Sequence, residues 1–482
     1  MTKAVSDVAI IGAGFTGTCL AIQLMQRMPA GARILMIGAA DEIGQGLAYR
    51  ATHHDLLLNV AAARMSLFPE DDGDFVGWLA ERCEGKAALP HWMLGQLYVS
   101  RACYGRYLRD RLGRAIEQSR NRVTVELIAG RAVSLRPAGA DYGIELADGD
   151  RRLASTVALC LGNAPGRLPL AAQAIAPGAE ERIIADAWND PRAAALPGDA
   201  RVLLLGTGLT MVDQALRLER AGHGGRVTAI SRHGLLPAEQ RLAAVAPAEL
   251  DLPERNAGLG EIFRAIVRAG RREQAAGGDW RSVLEALRPQ SQELWQGLSL
   301  AERQRFLRHV ETLWSVHRHR MAPAVAKRIA ELRDAGRLSI RAARLVAVGG
   351  GRQGLRASLR ARGSRLTETA GFDWIVNCAG PGRYAGLAAD PLVAGLVEAG
   401  LARPDRLRLG LDVTADATLI AGTGLAVGRL FALGPLGRGR FLEITAVREI
   451  RAQAGETADR LAAEMLGQLF PKGRPRRRFL AA

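Results

Sequence analysis

The chain is poor in cysteine and has no long apolar run. Its 482 residues include five cysteines, and their spacings match neither a metal site nor a Cys-x-x-Cys pair. No stretch approaches the roughly 20 consecutive apolar residues of a membrane span, and the amino terminus leads into a strand without the pattern of a secretory signal. We therefore expect a reduced, cytoplasmic protein with no metal site and no membrane span. The cysteines are Cys19, Cys83, Cys103, Cys160 and Cys378.

Lysine is almost absent, since only four of the 65 basic residues are lysines. The formal net charge is nevertheless +16, and it comes from arginine. Most arginines alternate with acids, as in "LRDRLGRAIEQSRNR", and the one dense basic run is the tail "KGRPRRR" at 472–478. This distribution indicates a solvated, arginine-rich surface with a disordered tail, and it argues against nucleic-acid binding.

The segment "DVAIIGAGFTGTCLAIQL" begins with a strand-like run and continues as an apolar helical pattern, with a second strand, "ARILMIG", downstream. Gly12, Gly14 and Gly17 complete a G-x-G-x-x-G turn between strand and helix. In such a turn the first glycine permits the tight bend, the second lets backbone approach a phosphate, and the third lets helix and strand pack closely. The helix N-terminus then faces the pyrophosphate. This unit predicts a dinucleotide cradle.

A second segment of the same kind, "RVLLLGTGLTMVDQAL", lies in the middle of the chain. Gly206 and Gly208 keep the first two glycine positions, whereas Met211 replaces the third. The strand "RVTAIS" follows at the expected distance. The pattern favours a second nucleotide site, and the alternative is a β-α-β unit that has kept its shape without a ligand.

The residues after the second strand of each unit bear on the adenosine ribose. A carboxylate there normally binds the ribose of NAD or FAD, whereas arginine accommodates the 2′-phosphate of NADP. The middle unit carries Ser231 and Arg232 at this place, which favours NADPH over NADH. In the first unit Gly38 occupies the acid position, and Asp41 and Glu42 follow slightly later, so either acid or the backbone could reach the ribose.

Two cradles on one chain suit two dinucleotides whose reactive rings meet. FAD in the first and NADPH (or NADH) in the second would give a hydride path from nicotinamide to flavin. We therefore predict an α/β chain with two Rossmann-like dinucleotide-binding domains and a helical insertion. The predicted FAD domain comprises residues 1–170 and 371–482, the NAD(P) domain 196–238 and 328–370, and the tryptophan-containing insertion 239–327.

Several longer motifs add a resemblance that runs nearly end to end. They include "GQGLAYRATHHDLLLNVAAARMSLFPED", "LGNAPGRLP", "WSVHRHRMAP", "NCAGPGR" and "LFALGPLGRGRFLEITAVREIR". In these the chain resembles a largely uncharacterised family of bacterial FAD/NAD(P)-binding oxidoreductases related to amine N-hydroxylating flavin monooxygenases. The chain departs from that pattern at Ser315, where Asp is frequent, and near Gln240, where His is usual.

The resemblance implies the fold of the flavin-containing monooxygenases and a matching activity. NADPH would reduce FAD, and O₂ would react through a flavin hydroperoxide to oxygenate a small substrate, acidic or an amine. The alternatives are an NAD(P)H-dependent reductase or dehydrogenase that passes electrons to a quinone or protein, and a non-catalytic nucleotide-bound regulator. A disulfide reductase would need a cysteine pair beside the flavin, which the cysteine spacing does not provide. The oligomeric state stays open.

No acid–base pair or nucleophile stands out, so the catalytic candidates are only Asn59, His317 and Arg318. Asn59 lies in an apolar run and could face the polar edge of the flavin with Arg64 and Ser66 nearby, or it could be a structural amide that bonds backbone. In the run His-Arg-His-Arg at 317–320, one His and one Arg could bind an acidic substrate or the NADPH 2′-phosphate. The alternative for this run is a structural ion-pair cluster.

The piece "ALGPLGRGRFLEITAV" predicts a strand that ends at Gly434, a glycine-rich turn, and a helix that begins near Phe441. The helix N-terminus would approach the N1–C2 edge of the flavin, with Gly437 and Gly439 as close contacts. The alternative is an ordinary glycine loop that caps a helix.

Overall fold

The computed structural model describes residues 4–50, 54, 56–82, 89–242, 245–253, 257–351 and 354–467. Within these ranges the chain is an α/β protein built on two sheets. The predicted α/β fold class with two dinucleotide-binding units is confirmed. Cys83 and the basic tail 472–478 lie outside the described residues.

The described strands are, in chain order, β1 Ser6–Ile11, β2 Ala32–Gly38, β3 Val123–Ala129, β4 Ala132–Ala138, β5 Asp141–Leu146, β6 Arg151–Leu159, β7 Ile183–Ile184, β8 Val202–Leu205, β9 Val227–Ser231, β10 Leu338–Gly351, β11 Gly354–Ala361, β12 Glu368–Phe372, β13 Trp374–Asn377, β14 Thr418–Ile420 and β15 Ala426–Ala432. The described helices are α1 Phe15–Arg27, α2 Asp74–Arg82, α3 His91–Gly95, α4 Arg101–Ser119, α5 Leu209–Arg220, α6 Leu259–Ala275, α7 Arg281–Leu287, α8 Ser291–Gly297, α9 Leu300–His309, α10 Glu311–Arg318, α11 Pro323–Asp334, α12 Tyr384–Leu387, α13 Pro391–Glu398 and α14 Val447–Met465.

The first sheet has the order β14-β15-β6-β1-β2-β3, with the β4–β5 hairpin attached through β5 to β6. Strand β1 is parallel to both of its neighbours, and Ile10 pairs with Met36 on one side and Ala158 on the other. Helices α1, α4 and α14 pack together over one face. Strands β2 and β6 lie on opposite sides of β1, so the strand order reverses at β1. The crevice at the carboxyl end of β1 is therefore the expected ligand position.

The second sheet has the order β12-β11-β10-β9-β8-β13-β7. Strands β7, β13, β8, β9 and the start of β10 run parallel, while β10, β11 and β12 form an antiparallel extension. The sheet departs from the sequence-based boundary at residue 371, because β13 lies in the second sheet between β8 and β7. The bond from the backbone N–H of Asp373 to the carbonyl oxygen of Arg201 (2.8 Å) holds it there.

Helices α6 to α10 form the helical insertion, whose core centres on Trp295, 2% exposed. Two indole N–H groups tie it to the loop after β15. Trp295 donates to the carbonyl oxygen of Gly439 (3.2 Å), and Trp314 donates to Glu443 Oε1 (2.9 Å). The insertion thus packs directly on the glycine-rich loop that the sequence analysis placed beside the flavin.

Candidate functional site

The first cradle is the turn between β1 and α1, and two of its glycines are required by packing. Gly12 has φ +110°, and a Cβ there would lie 2.3 Å from the carbonyl oxygen of Cys160. A Cβ at Gly17 would lie 1.9 Å from the carbonyl oxygen of Gly12. These contacts are the tight bend and the close helix–strand approach that the motif predicts. Gly14 is the N-cap of α1.

The N-terminus of α1 can bind an anion. The helix has no side-chain cap and no acidic residue in its first turn, in contrast to α4, which Ser100 caps, and α9, which has a Ser299–Glu302 capping box. Uncapped N–H groups and the positive end of the helix dipole favour a phosphate. The residues present therefore fit the pyrophosphate of a dinucleotide.

The acid that normally binds the adenosine ribose is excluded from the end of β2. A Cβ at Gly38 would lie 2.4 Å from the Cβ of Ala13. Asp41 and Glu42 follow in the loop, and both pair with Arg50, at 3.3 Å and 2.5 Å. Asp41 is the more exposed of the two, with 66% of its side chain accessible against 33% for Glu42.

Gln45 is a candidate that the sequence analysis missed. It is 5% exposed, and its Oε1 has no hydrogen-bond partner in the described part of the chain, although its Nε2 donates to the carbonyl oxygen of Asp41. Its neighbour Gly46 lies over the cradle, since a Cβ there would be 2.7 Å from the Cα of Gly14. A buried acceptor without a partner beside the cradle fits a ligand hydroxyl or amine. The sequence signal is a polar residue between two glycines.

The second cradle opens into a cleft of about 750 Å³ at the carboxyl ends of β8, β9 and β13. Gly206 has φ +114°, and a Cβ there would lie 2.2 Å from the carbonyl oxygen of Cys378. Gly208 faces open space, with no heavy atom within 4 Å of a Cβ built on it. Helix α5 begins at Gly208 without a side-chain cap or an acidic first turn. Met211, at the third glycine position, is fully buried in the core.

The adenosine end of this cleft carries uncompensated positive charge. Arg232 and Arg344 line the cleft, and neither forms an ion pair with a described residue. His233 lies among them: burial lowers its pKa, and the charges of Arg362, Arg232 and Arg344 lower it further. Ser231 Oγ instead serves the turn, accepting from the N–H of Gly234 (3.0 Å) and from Thr207 Oγ1 (2.9 Å). The structure thus adds Arg344 to the predicted Arg232 among the residues that line the cleft.

The inner end of the cleft reaches the first domain. Arg438, one residue past the 3₁₀ turn Gly434–Gly437, lines the cleft together with His319 and Glu311. Its guanidinium lies 3.3 Å from Glu311. Gly434 in turn packs on the start of α1, since a Cβ there would be 2.7 Å from Thr16 Oγ1. The glycine-rich loop therefore connects the two cradles.

An ion pair also joins helix α4 of the first domain to α5, the helix of the second cradle. Arg101, the first residue of α4, lies 2.9 Å from Asp213 on α5, and both side chains are largely buried. Burial raises the pKa of Asp213, while the charge of Arg101 opposes that rise.

The run 317–320 does not converge on one ligand. His317 is exposed, and its Nδ1 lies 2.8 Å from the carbonyl oxygen of Leu313. Arg318 pairs with the buried Glu443 (2.7 Å), which agrees with the structural ion-pair alternative. His319 lines the nucleotide cleft, and burial, assisted by the charge of Arg318, lowers its pKa to about 4. Arg320 faces a different cavity.

That second cavity, of about 480 Å³, lies between the first domain and the insertion. Arg64 and Arg320 both pair with Glu285, at 3.2 Å and 2.9 Å. Arg320 is 5% exposed, and its Nε has no partner among the described residues. Asn59 is half-buried beside this cavity, and its carbonyl oxygen accepts from Gln240 Nε2 (3.5 Å).

Three further predicted contacts have structural explanations in the fold. Ser66 is fully buried, and its hydroxyl bonds the backbone of residues 68 and 71. Gly437 faces the side chains of Phe441 and Val413, and a Cβ at Gly439 would lie 2.3 Å from the carboxyl carbon of Asp405. The helix expected near Phe441 begins instead at Val447, so no helix N-terminus lies at residue 441.

The four described cysteines are buried and form no disulfide with one another, and burial raises the pKa of Cys19 to about 12. Within the described ranges, no cluster of three or more His, Cys, Asp or Glu side chains could hold a metal ion. Across those same ranges no helix is both long and apolar enough to cross a membrane.

Comparison with known proteins agrees with this geometry. Residues 9–164 match the model of an FAD-NAD(P)-binding family. Uncharacterised proteins of Mycobacterium tuberculosis and Mycobacterium bovis are 25% identical over 443 residues, which is 81% of this chain and 77% of the relatives.

Among solved structures, the reduced form of the ornithine hydroxylase PvdA from Pseudomonas aeruginosa aligns with a TM-score of 0.63 and 17% identity, covering 96% of this chain and all of that one. The L-lysine 6-monooxygenase from Pseudomonas syringae gives the same TM-score and identity over 95% and 99% of the two chains. The ornithine N-hydroxylase KtzI from Kutzneria sp. 744, solved with reduced FAD, NADP⁺ and L-ornithine, gives 0.62 at 15% identity, with 96% and 100% covered. At these identities the likeness establishes the fold.

The resemblance, the fold and the FAD/NAD(P) cofactor class expected from the sequence are thus confirmed. Residues 9–164 match an FAD-NAD(P)-binding family model, and the chain as a whole shares its fold with the ornithine and lysine hydroxylases named above.

Proposed function

We propose that this protein is an FAD-dependent, NADPH-consuming monooxygenase that oxygenates a small substrate. The observation that carries the proposal is the continuity between the two cradles. Arg438 lines the second cleft, and the loop that bears it packs through Gly434 on Thr16 at the start of α1. A nicotinamide and a flavin held by these two cradles would meet at this loop. FAD, when bound, supplies the redox chemistry.

In this proposal the first cradle holds FAD. The α1 N-terminus at Gly14 would receive the pyrophosphate, while Gln45 and either Asp41 or Glu42 would contact the adenosine portion. Either acid would accept a hydrogen bond from a ribose hydroxyl while its carboxylate also pairs with Arg50.

The second cleft holds NADPH in preference to NADH. Gly208 leaves the space that a pyrophosphate needs, and Arg232 and Arg344 line the adenosine end of the cleft together with His233. A 2′-phosphate would neutralise part of this charge through charge-assisted hydrogen bonds. A ribose hydroxyl of NADH has no comparable interaction to offer.

The substrate site is the cavity between the first domain and the insertion. Arg64 and Arg320 share one carboxylate, Glu285, so the group carries one net positive charge, and the Nε of Arg320 is buried without a described partner. An unpaired donor in a buried position favours an acceptor on a ligand. We infer a small substrate with an anionic group, and a separate amine would be compatible with the proposed chemistry.

The test is the fate of the electrons from NADPH under air. A monooxygenase forms one oxygenated product for each NADPH consumed when a true substrate is present, and releases mainly hydrogen peroxide without one. A panel of small amines and amino acids is incubated with FAD-loaded protein and NADPH in ¹⁸O₂, and products are examined by mass spectrometry. Rapid quinone reduction with no ¹⁸O incorporation for any compound would identify a reductase instead and refute the monooxygenase proposal.

A further inference from the structure

The helical insertion contains an apolar cavity of about 530 Å³ that belongs to neither cradle. Its walls come from α6 to α10 and include Trp280, Trp295 and Trp314, three of the seven tryptophans in the chain. Part of its lining is nearly inaccessible, with Val283 and Leu287 each 2% exposed. We call it the tryptophan cavity.

The size of the tryptophan cavity suits a small ligand. Small-molecule sites typically measure about 300–1,000 Å³ and are mainly apolar with a few polar groups that orient the ligand. The tryptophan cavity has this composition.

The lining includes a few polar side chains, and three of them are exposed to solvent. Arg271 and Gln274, one turn apart on α6, are both exposed and line the cavity, as does His317. Arg271 forms no ion pair with a described residue, so its charge is available to a ligand. The exposed apolar side chains Phe263 (36%) and Leu313 (40%) also belong to the lining and mark its solvent side. A ligand would therefore bury an apolar body and present a negative group at the mouth.

Charge complementarity selects the ligand class. No acidic side chain is among the lining residues, whereas Arg271 is positive and His317 is a potential donor. We propose that the tryptophan cavity binds a small amphipathic carboxylate, with its aliphatic or aromatic body among the tryptophans and its carboxylate on Arg271. The proposal is independent of the redox function, because it requires neither FAD nor NADPH.

The chain offers a matched pair of variants that fill the cavity or leave it open. Gly270 lines the cavity on α6, and a Cβ built there meets no heavy atom within 4 Å. Gly260 lies on the same helix with the same free space and does not line the cavity. Since both glycines are in a helix without a positive φ, Gly270→Phe and Gly260→Phe should both fold.

A second pair tests the head group. Arg271→Glu reverses the charge at the mouth, whereas Arg268→Glu makes the same change one turn earlier on α6, at an exposed residue outside the lining. Loss of a charge-assisted contact and introduction of repulsion should weaken carboxylate binding by about tenfold or more. The Arg268 variant should bind as the unaltered protein does.

The experiment is an isothermal titration of the purified full-length protein with decanoate, paired with tryptophan fluorescence. We expect one saturable site, a fluorescence change, much weaker binding of butanoate and decyltrimethylammonium, a loss of more than about tenfold in Gly270→Phe, and no change in Gly260→Phe. The heat signal does not depend on flavin reduction, so a failure of the proposed redox function would leave this result readable.

The proposal is overturned if decanoate does not bind the folded protein, if Gly270→Phe binds it unchanged, or if the cationic detergent binds equally well. It is also overturned if light scattering shows a dimer that Gly270→Phe dissociates, with no decanoate binding, because a second copy of the chain would then occupy the cavity.

Discussion

Replacement of Gly208 by alanine separates folding from nucleotide binding at the second cradle. Gly208 is the N-cap of α5 with φ −85°, and a Cβ there has no neighbour within 4 Å. An alanine therefore fits the structure sterically, and its cost is limited to the N-cap preference of glycine over alanine, below about 1 kcal/mol. The added methyl group nevertheless occupies the space through which a pyrophosphate must approach the backbone.

We expect the affinity of Gly208→Ala for NADP⁺ to fall by at least about tenfold, or about 1.4 kcal/mol. Gly206→Ala provides the contrast, because at φ +114° its Cβ would lie 2.2 Å from the carbonyl oxygen of Cys378. A strained backbone and a clash of this kind cost about 1–3 kcal/mol or more, so this second variant should lose stability itself.

The assay pairs calorimetric titration with NADP⁺ and urea unfolding of both variants. The reasoning requires Gly208→Ala to retain the unfolding free energy within about 1 kcal/mol and to lose NADP⁺ affinity. If Gly208→Ala unfolds and binds NADP⁺ as the unaltered protein does, no pyrophosphate approaches this glycine and the assignment of the cleft is refuted.

Three further outcomes follow from the charged groups. Arg232→Gln should weaken NADP⁺ binding by about tenfold and leave NAD⁺ binding unchanged, whereas Arg356→Gln, at an exposed residue of β11, should alter neither affinity. If Arg232→Gln weakened the binding of both nucleotides equally, a 2′-phosphate site at Arg232 would be contradicted. Burial lowers the pKa of His319 to about 4, so the folded protein keeps this histidine neutral and loses stability as the pH falls below the unfolded pKa of about 6.5. Urea unfolding should show that the free energy of unfolding falls by about 2 kcal/mol between pH 7 and pH 5 on this account, and His319→Gln should lack this decrease. Arg101→Met should lower the free energy of unfolding by about 3 kcal/mol because it leaves the buried Asp213 unpaired, and the double variant Arg101→Met/Asp213→Asn should lower it by less. A double-mutant cycle measured by urea unfolding tests this, and equal losses in the single and double variants would mean that the two residues are not coupled.

The sequence predicts the two cradles because their information is local. A strand, a glycine turn and a helix follow one another within about 20 residues, and the glycine spacing indicates which backbone positions must carry no side chain. The structure gives Gly12, Gly17 and Gly206 the close contacts that this spacing implies. Arg232 was predicted for the same reason, since it directly follows β9.

The missed residues depend on contacts between distant segments. Arg344 lies on β10 and Arg362 follows β11, and the pairing of β10 with both β9 and β11 brings their charges near His233. The boundary at residue 371 left β13 out of the second sheet for a similar reason, because the sequence of a four-residue strand does not indicate which strands it will pair with.

The helix start at Phe441 illustrates a tertiary effect on local propensity. The apolar pattern that begins there is helical, but the carboxylate of Glu443 accepts from Trp314 Nε1 and from Arg318 Nε, both in the insertion. These bonds accompany a run of turns over residues 442–445 and a helix that starts at Val447. Propensity is a weak prior where buried polar contacts of this kind compete.

The central claim is that a flavin in the first cradle accepts electrons from a nicotinamide in the second. The direct measurement is the visible spectrum of the FAD-loaded protein during anaerobic titration with NADPH. The account predicts that one equivalent of NADPH bleaches the oxidised flavin band, and that NADH does so only at much higher concentration. A protein that takes up no FAD, or whose bound FAD stays oxidised with both nucleotides, would contradict it.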